Sequence, residues 1–413
     1  MTKRYIAHIT IEAETPLKVG SNASDFFQDS PIQKDWNGLP MILGTSITGV
    51  LRKDFSGDKD DIFGEKNGSK VIISNALLIG DNDEVCEELL LDKSKNKIFS
   101  LFDNLPIREH TAINEKGVTK NGAKFDEEVL YKGSKFKFSI EFIEENKTTF
   151  ETILNLLKNP AFRLGGGSTK GFGKFNILEI EDGLFDLQNY SSSLNRPLGG
   201  TKDKEIQKST CQEYTVYTLK IKPDDFFMFG SGFGDSDADM TPAYEQVVDY
   251  EKAELSQKTI LIPASSIKGA IAHRTTFHLN KLLGNTIEAK NGLENVKEIF
   301  GEAKNSKDNI DGIKGKLLIS DCFKKQKEQT KTFDHVSIDR FTGGAIDGAL
   351  FQEKTITDDG EFYEIEILLE NSVQGKELEA FEKTLTDITT GMLSLGGATT
   401  KGHGIFIGKW SKK

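Results

Sequence analysis

The chain has 413 residues, room for two or three domains, with 53 basic against 64 acidic side chains and a formal charge of −11. At 37% hydrophobic and 28% charged, with a mean hydropathy of −0.41, it is neither a membrane span nor a low-hydrophobicity tail, and a soluble globular protein is expected. The acidic balance disfavours indiscriminate nucleic-acid binding, which draws on clustered Lys and Arg, and confines any such role to local basic loops.

From Tyr5 to Glu12 apolar and polar residues alternate with period two, predicting a strand where a secretory leader needs an unbroken apolar run; the cytoplasm is the expected compartment. Next, Leu17-Lys18-Val19-Gly20-Ser21 ends a hydrophobic strand at glycine and opens a polar, acidic loop. The segment Ile42 to Gly49, followed by Arg52, reads as a helix start, and Ile72-Ile73-Ser74-Asn75 as a strand. Two long polar insertions, Gly80 to Arg108 and Asn114 to Leu130, flank His110-Thr111-Ala112-Ile113. Lys135 to Phe142 alternates cleanly as a strand, and Leu164 to Gly173 is a glycine-rich turn into a last strand. Asn189 to Gln212, with its Ser run, Asn195-Arg196-Pro197 and Gly199-Gly200, has no apolar periodicity and reads as a linker.

Beyond it the same segments return in the same order, the mark of a tandem repeat. A strand, Tyr214 to Ile221, leads to Phe227-Met228-Phe229-Gly230-Ser231; Ile262 to Gly269 with Arg274 repeats the helix start. Leu318-Ile319-Ser320-Asp321, His335-Val336-Ser337-Ile338-Asp339 and Leu395 to Gly404 complete the match. The expected fold is therefore α+β, two ferredoxin-like units at 1–188 and 213–413 joined by a linker at 189–212. In the second unit Ile267, Ile271, Arg274, His278 and Leu282 share a helix face, with Ser265 or Ser266 as N-cap.

Three motifs fail on inspection. The glycine-rich turns lack the Gly-Lys-Ser/Thr order of a nucleoside-triphosphate loop. Asp235-Ser236-Asp237-Ala238-Asp239 has Met240 where an EF-hand needs glycine and Gln246 where it needs glutamate, and Gly230, Gly232 and Gly234 open onto acids rather than a helix. Cys86, Cys211 and Cys322 are odd in number and far apart, excluding a disulfide framework or a CxxC zinc knuckle. What remains is a turn of bare main-chain amides flanked by Arg163, Lys170 and Lys174, suited to phosphate, and repeated with Lys401.

The segments Leu164 to Gly173 and Leu395 to Gly404 resemble the G-rich loop of the RAMP superfamily of CRISPR-associated proteins. Ser46-Ile47-Thr48-Gly49-Val50-Leu51-Arg52 and Ser266-Ile267-Lys268-Gly269 resemble that superfamily's helix-start motif, and the chain looks like two backbone subunits of a type III (III-D-like) effector complex fused in tandem. The resemblance implies RRM-like domains with long insertions that assemble along a guide CRISPR RNA with other effector subunits and no membrane, and that cleave complementary target RNA by metal-assisted transesterification. The family's acid before the proline of the first loop maps to Asp29 in the first copy and Asp239 in the second, with Asp237 as the alternative. Such a carboxylate would take the 2′-hydroxyl proton or hold hydrated Mg²⁺ or Mn²⁺; the metal-binding residues stay unassigned. RNA contacts would come from Gly20, Ser21, Ser46, Arg52, Lys53, Arg163, Gly166, Gly167, Ser168, Thr169 and Lys170 in the first copy. Ser266, Lys268, Arg274, Gly397, Thr399, Thr400 and Lys401 would do so in the second. Phe26 and Phe27, like Phe226, Phe227 and Phe229, are candidates for base stacking, core packing being favoured for the last three. The histidines His110 and His335 are expected to be structural, and the insertions to hold a hairpin that kinks the guide–target duplex. The competing readings are an inert guide-RNA scaffold and, less well supported, a guide-processing nuclease with a histidine base.

Overall fold

A computed structural model describes residues 3–21, 31–113, 119–144, 146–188, 190–204, 206, 209, 212–286, 296–302, 312–324, 330–357 and 360–413. In the first half, β1 (Lys3–Ala13) is central, antiparallel to β7 (Lys135–Phe142) on one side and β8 (Phe175–Asp186) on the other. The short strands β2 (Met41–Ile42), β3 (Val71–Ile73) and β4 (Ala76–Leu78) extend the β7 side. The period-two pattern is realised: Ile9, Ile11, Phe136, Phe138 and Ile140 are buried, and α1 (Gly44–Asp54) and α4 (Lys147–Leu157) add Ile47, Leu51, Phe150 and Ile153 to the same core. The insertions contain α2 (Lys59–Phe63), α3 (Lys97–Leu101) and a hairpin of β5 (Ile107–Ile113) and β6 (Thr119–Glu128).

The second half repeats this plan. Strand β10 (Tyr214–Pro223) is central, after β9 (Thr201–Asp203), between β19 (Tyr363–Glu370) and β20 (Phe406–Lys412). Strand β15 (Leu317–Ile319) pairs with β19 as β3 does with β7. Helices α5 (Ala264–Leu283) and α6 (Gly375–Thr389) bury Ile267, Ile271, Phe381, Leu385 and Ile388 against this sheet. Strands β11 (Tyr244–Glu245), β14 (Thr259–Ile262) and β16 (Cys322–Lys324) form a small sheet, with β12 (Val248–Asp249) and β13 (Glu254–Leu255) between them as a ribbon. The second hairpin is β17 (Thr330–His335) with β18 (Phe351–Ile356). The expected α+β, tandem ferredoxin-like arrangement is thus the arrangement observed.

Within 189–212, read from composition as a linker, β9 pairs with β8 as an edge strand of the first sheet. The helix starts also differ from expectation. Leu43 and Pro263 occupy the N-cap positions without side-chain caps, so neither Ser265 nor Ser266 does the capping. Instead Gly44 N donates to Asn75 Oδ1 at 2.9 Å, and Ala264 N to Asp321 Oδ1 at 2.8 Å. An acceptor from a neighbouring loop satisfies the helix-start donor that a side chain at the N-cap position would otherwise serve.

Candidate nucleic-acid interface

Both glycine turns are built by the same hydrogen bonds. Leu164 N reaches Gly173 O at 3.0 Å, and Leu395 N reaches Gly404 O at 2.8 Å, closing each loop. Gly166 N donates to Lys18 O and Gly397 N to Met228 O, each at 2.7 Å, pinning each turn to the segment that follows its first strand. Left-handed backbone at Gly165, Gly167, Gly171 and Gly173 explains the glycine density; the second turn places Ala398 at φ 54° where the first has Gly167. Because several amides are spent internally, the surface open to a phosphate is narrower than composition implies: Gly165, Gly166 and Gly396 are exposed, Gly167, Ser168 and Gly397 half-buried.

A second feature is duplicated beside each turn. In the first copy, His110 stacks on Phe125, its partner across the hairpin, at 5.1 Å. Its Nε2 lies 3.2 Å from Glu127 Oε2, and Lys170 Nζ lies 3.7 Å from Glu127 and 4.9 Å from the Phe125 ring centre. In the second copy His335 stacks on Phe351 at 4.8 Å, with Glu353 3.4 Å from His335 and 2.7 Å from Lys401. Burial opposes ionisation of Glu127, but His110, Lys18 and Lys170 together hold its carboxyl down at about 2. Glu353 is 0% exposed. Each hairpin is therefore clamped to the lysine of its own glycine turn. Both histidines lie in this clamp, and the glutamates escaped the sequence analysis, although the repeated Phe-x-Glu of Phe125 to Glu127 and Phe351 to Glu353 was their signal.

The acidic loop of the second copy lies on this same hairpin. Asp239 is exposed, and its Oδ2 accepts from Gln352 N at 2.8 Å, between Phe351 and Glu353. Asp237 pairs instead with Lys354 at 3.4 Å, and Lys354 also holds Asp235 at 2.6 Å. Asp29, like Phe26 and Phe27, lies outside the described residues. The anchors around both loops correspond: Gly20 bridges Ile32 and Gly230 bridges Pro242, so by chain count Asp29 and Asp239 each stand three positions before the bridging residue.

The other candidates divide. Thr399, Thr400, Lys401, Gly20, Lys53 and Ser266 are exposed, and Ser21 and Ser46 half-buried. Arg52 is tied to Gly64 O at 2.7 Å and Asp60 at 2.5 Å. Arg163 is buried and donates to Pro160 O and Phe162 O at 2.5 and 3.2 Å. Arg274, with His278, holds Asp387 of α6 at 2.5 Å, a bond between helices. Lys268 Nζ donates to Thr169 Oγ1 at 3.0 Å across the two halves, and burial, then Lys170, lowers it to about 8. Phe227 and Phe229 belong to the core. Missed from sequence was Phe341, 99% exposed between β17 and β18. Among the described residues no three His, Cys, Asp or Glu side chains converge. No helix among them is long and apolar enough to cross a membrane.

The sequence profile of the RAMP superfamily matches residues 10–176 and again 199–407, and the chain belongs to that superfamily, which it represents twice. It is similar to the CRISPR system Cms endoribonuclease Csm3 of Methanocaldococcus jannaschii, 25% identical over 194 residues, 41% of this chain and 77% of that protein. Among solved structures, a chain from the cryo-EM structure of the type III-B Cmr-beta bound to cognate target RNA matches at 18% identity with a TM-score of 0.32. That match covers 44% of this chain and 61% of the other, less than two thirds of its length.

Proposed function

We propose that the chain is a subunit of a type III CRISPR effector complex, binding guide RNA across both copies and cutting complementary target RNA at Asp29 and Asp239. The observation that carries this reading is the twice-built unit of glycine turn, lysine and clamped hairpin, on whose strand Asp239 is held. The exposed turn residues and Lys401 meet the guide backbone. The hairpin, ending in Phe341 in the second copy, splays the duplex, leaving one target nucleotide free to align its 2′-oxygen with its own phosphorus. The carboxylate takes the 2′-hydroxyl proton, the 2′-oxygen bonds to phosphorus, and the 5′-oxygen leaves, protonated by solvent, giving a cyclic phosphate. A hydrated Mg²⁺ or Mn²⁺ would be held by Asp29 or Asp239 together with the target's own phosphate, and would supply neutralisation of charge at the phosphorus. The kinship to a protein named as an endoribonuclease supports the reading. For the second copy, the bond from Gln352 N to Asp239 also favours the scaffold alternative, an acid kept for loop geometry.

The test is D29A and D239A, singly and together, in complex assembled with guide RNA. Each is expected to abolish one cut by about 100-fold or more while guide binding persists. Undiminished cutting in the double variant would leave only the scaffold.

A further inference from the structure

The last strand of each copy, β8 or β20, lies beside its central strand with its other side turned away from the sheet. Ile180, Glu181 and Asp182 face Ile9, His8 and Ala7 of β1, as Trp410, Ser411 and Lys412 face Leu219, Thr218 and Tyr217 of β10. Ile9 and Leu219 each stand eight residues before the matched Leu17 and Phe227, so these positions are equivalent. In the first copy β9 covers them, pairing Ile180, Glu181 and Asp182 with Asp203, Lys202 and Thr201. Lys202 Nζ approaches Glu179 and Glu181 at 3.3 and 3.6 Å, and Lys204 Nζ approaches Glu179 at 3.4 Å, so an acidic edge carries a basic cover. In the second copy the charge is inverted. Lys409, facing Lys220 as Glu179 faces Thr10, takes the place of Glu179, and Lys412 that of Asp182. Lys412 is held by Glu382 at 2.7 Å, while Lys409 is exposed. Among the described residues β20 pairs with β10 and otherwise only through the bridge of Ile407 to Thr390.

Lys413 N donates to Val216 O at 3.0 Å and Val216 N to Lys413 O at 3.2 Å, so the main-chain groups of Lys413 face β10. By the alternation of an antiparallel ladder those of Ser411 and Lys409 face it too, and those of Trp410 and Lys412 face outward. The edge therefore offers donors and acceptors in turn at the positions that β9 occupies in the first copy. Trp410, half-buried and bonded through Nε1 to Thr386 Oγ1 at 3.1 Å, ties this stretch to α6. We propose that β20 accepts an added strand from a partner protein, an extended segment with carboxylates at the two alternate positions where β9 has Lys202 and Lys204. The β9 strand of a second copy does not suit the edge, since it would set Lys202 and Lys204 against Lys409. A polynucleotide's phosphates suit Lys409 but provide no donor for the outward carbonyls of Trp410 and Lys412. The inference goes beyond the ribonuclease reading and stands whether or not RNA is cut.

The test uses the full chain and a fluorescein-labelled peptide of residues 198–206 carrying K202E and K204E, compared by anisotropy with the unchanged peptide. The acidic peptide is expected to bind tighter than the unchanged one by about tenfold or more. It should also slow hydrogen exchange at the Trp410 and Lys412 amides and leave those of Lys409 and Ser411 as they were. K409E, a change at an exposed side chain, should reverse the preference between the two peptides. K412P, which removes one outward N–H from the edge, should weaken the acidic peptide by about tenfold. Equal affinity for both peptides, binding of neither, or binding without protection at Trp410 and Lys412 overturns the proposal, whether or not K412P folds. A short oligouridylate that binds in place of the acidic peptide, and is lost in K409E, gives the edge to RNA and overturns it as well.

Discussion

His8 carries an acid sensitivity that its place on β1 makes calculable. It is 3% exposed and, among the described residues, neither ring nitrogen finds a hydrogen-bond partner. Burial, followed by the field of Lys137, lowers it to about 4, with Glu181 and Glu87 opposing. Between pH 6.5 and 4 the unfolded chain binds a proton that the folded chain refuses, so stability falls with pH across that window, by roughly 1–3 kcal/mol. His8→Leu should flatten this limb, read as the difference in urea midpoint between neutral and mildly acidic buffer; an unchanged difference would assign it elsewhere. Glu127 acts lower on the scale, since its depressed carboxyl contributes stability above the ordinary carboxylate range that is lost as pH falls toward 2. The strand that carries His110 was legible, but the partner of its ring was not. Glu127 is adjacent only through hairpin pairing, which composition of a polar insertion does not reveal.

Elements show the same division between local and non-local information. The strands and both glycine turns could be read because period-two burial and left-handed glycine are local properties. The helix caps could not, because Asn75 lies 31 residues from Gly44 and Asp321 lies 57 from Ala264. The turns nevertheless differ at one point with a measurable consequence. Gly167 and Ala398 both adopt left-handed backbone, which costs an L-residue about 1–2 kcal/mol, while glycine loses about 0.5–1 kcal/mol of that advantage through unfolded-state entropy. Ala398→Gly should therefore stabilise the chain by about 0.5–1 kcal/mol. Gly167→Ala, whose new methyl would meet the Phe172 ring, should destabilise it by about 1 kcal/mol or more. Denaturant midpoints moving in the same direction would contradict the equivalence of the turns.

At the scale of the molecule, the duplication was visible in sequence, but the way the copies interlock was not. Val248 from the second half is buried in the first hydrophobic core, Tyr250 Oη bonds Ile79 O at 3.0 Å, and Gly171 of the first turn leaves no room for a Cβ beside Ala264 and Asp321. These contacts come from the segment between β11 and β14 and from α5, so they depend on how two folded units dock rather than on any pattern within either. The ion pairs of Arg108 with Glu245 and Asp321 are the most deeply buried of that junction, which also holds Lys174 against Glu366 at 2.9 Å. Removing the guanidinium in R108M leaves Glu245 and Asp321 buried without their cation, a loss of about 3–5 kcal/mol. Because the lost interaction joins the halves, it should appear as uncoupling: one calorimetric transition in wild type, two in R108M. Neutralising the acids as well, in R108M with E245Q and D321N, removes the stranded charge and should bring the transitions back together, since Asn75 shows at α1 that an amide can cap the corresponding helix start. If R108M still unfolds in one transition, the apolar insertion of Val248, rather than the ion pairs, is what couples the copies.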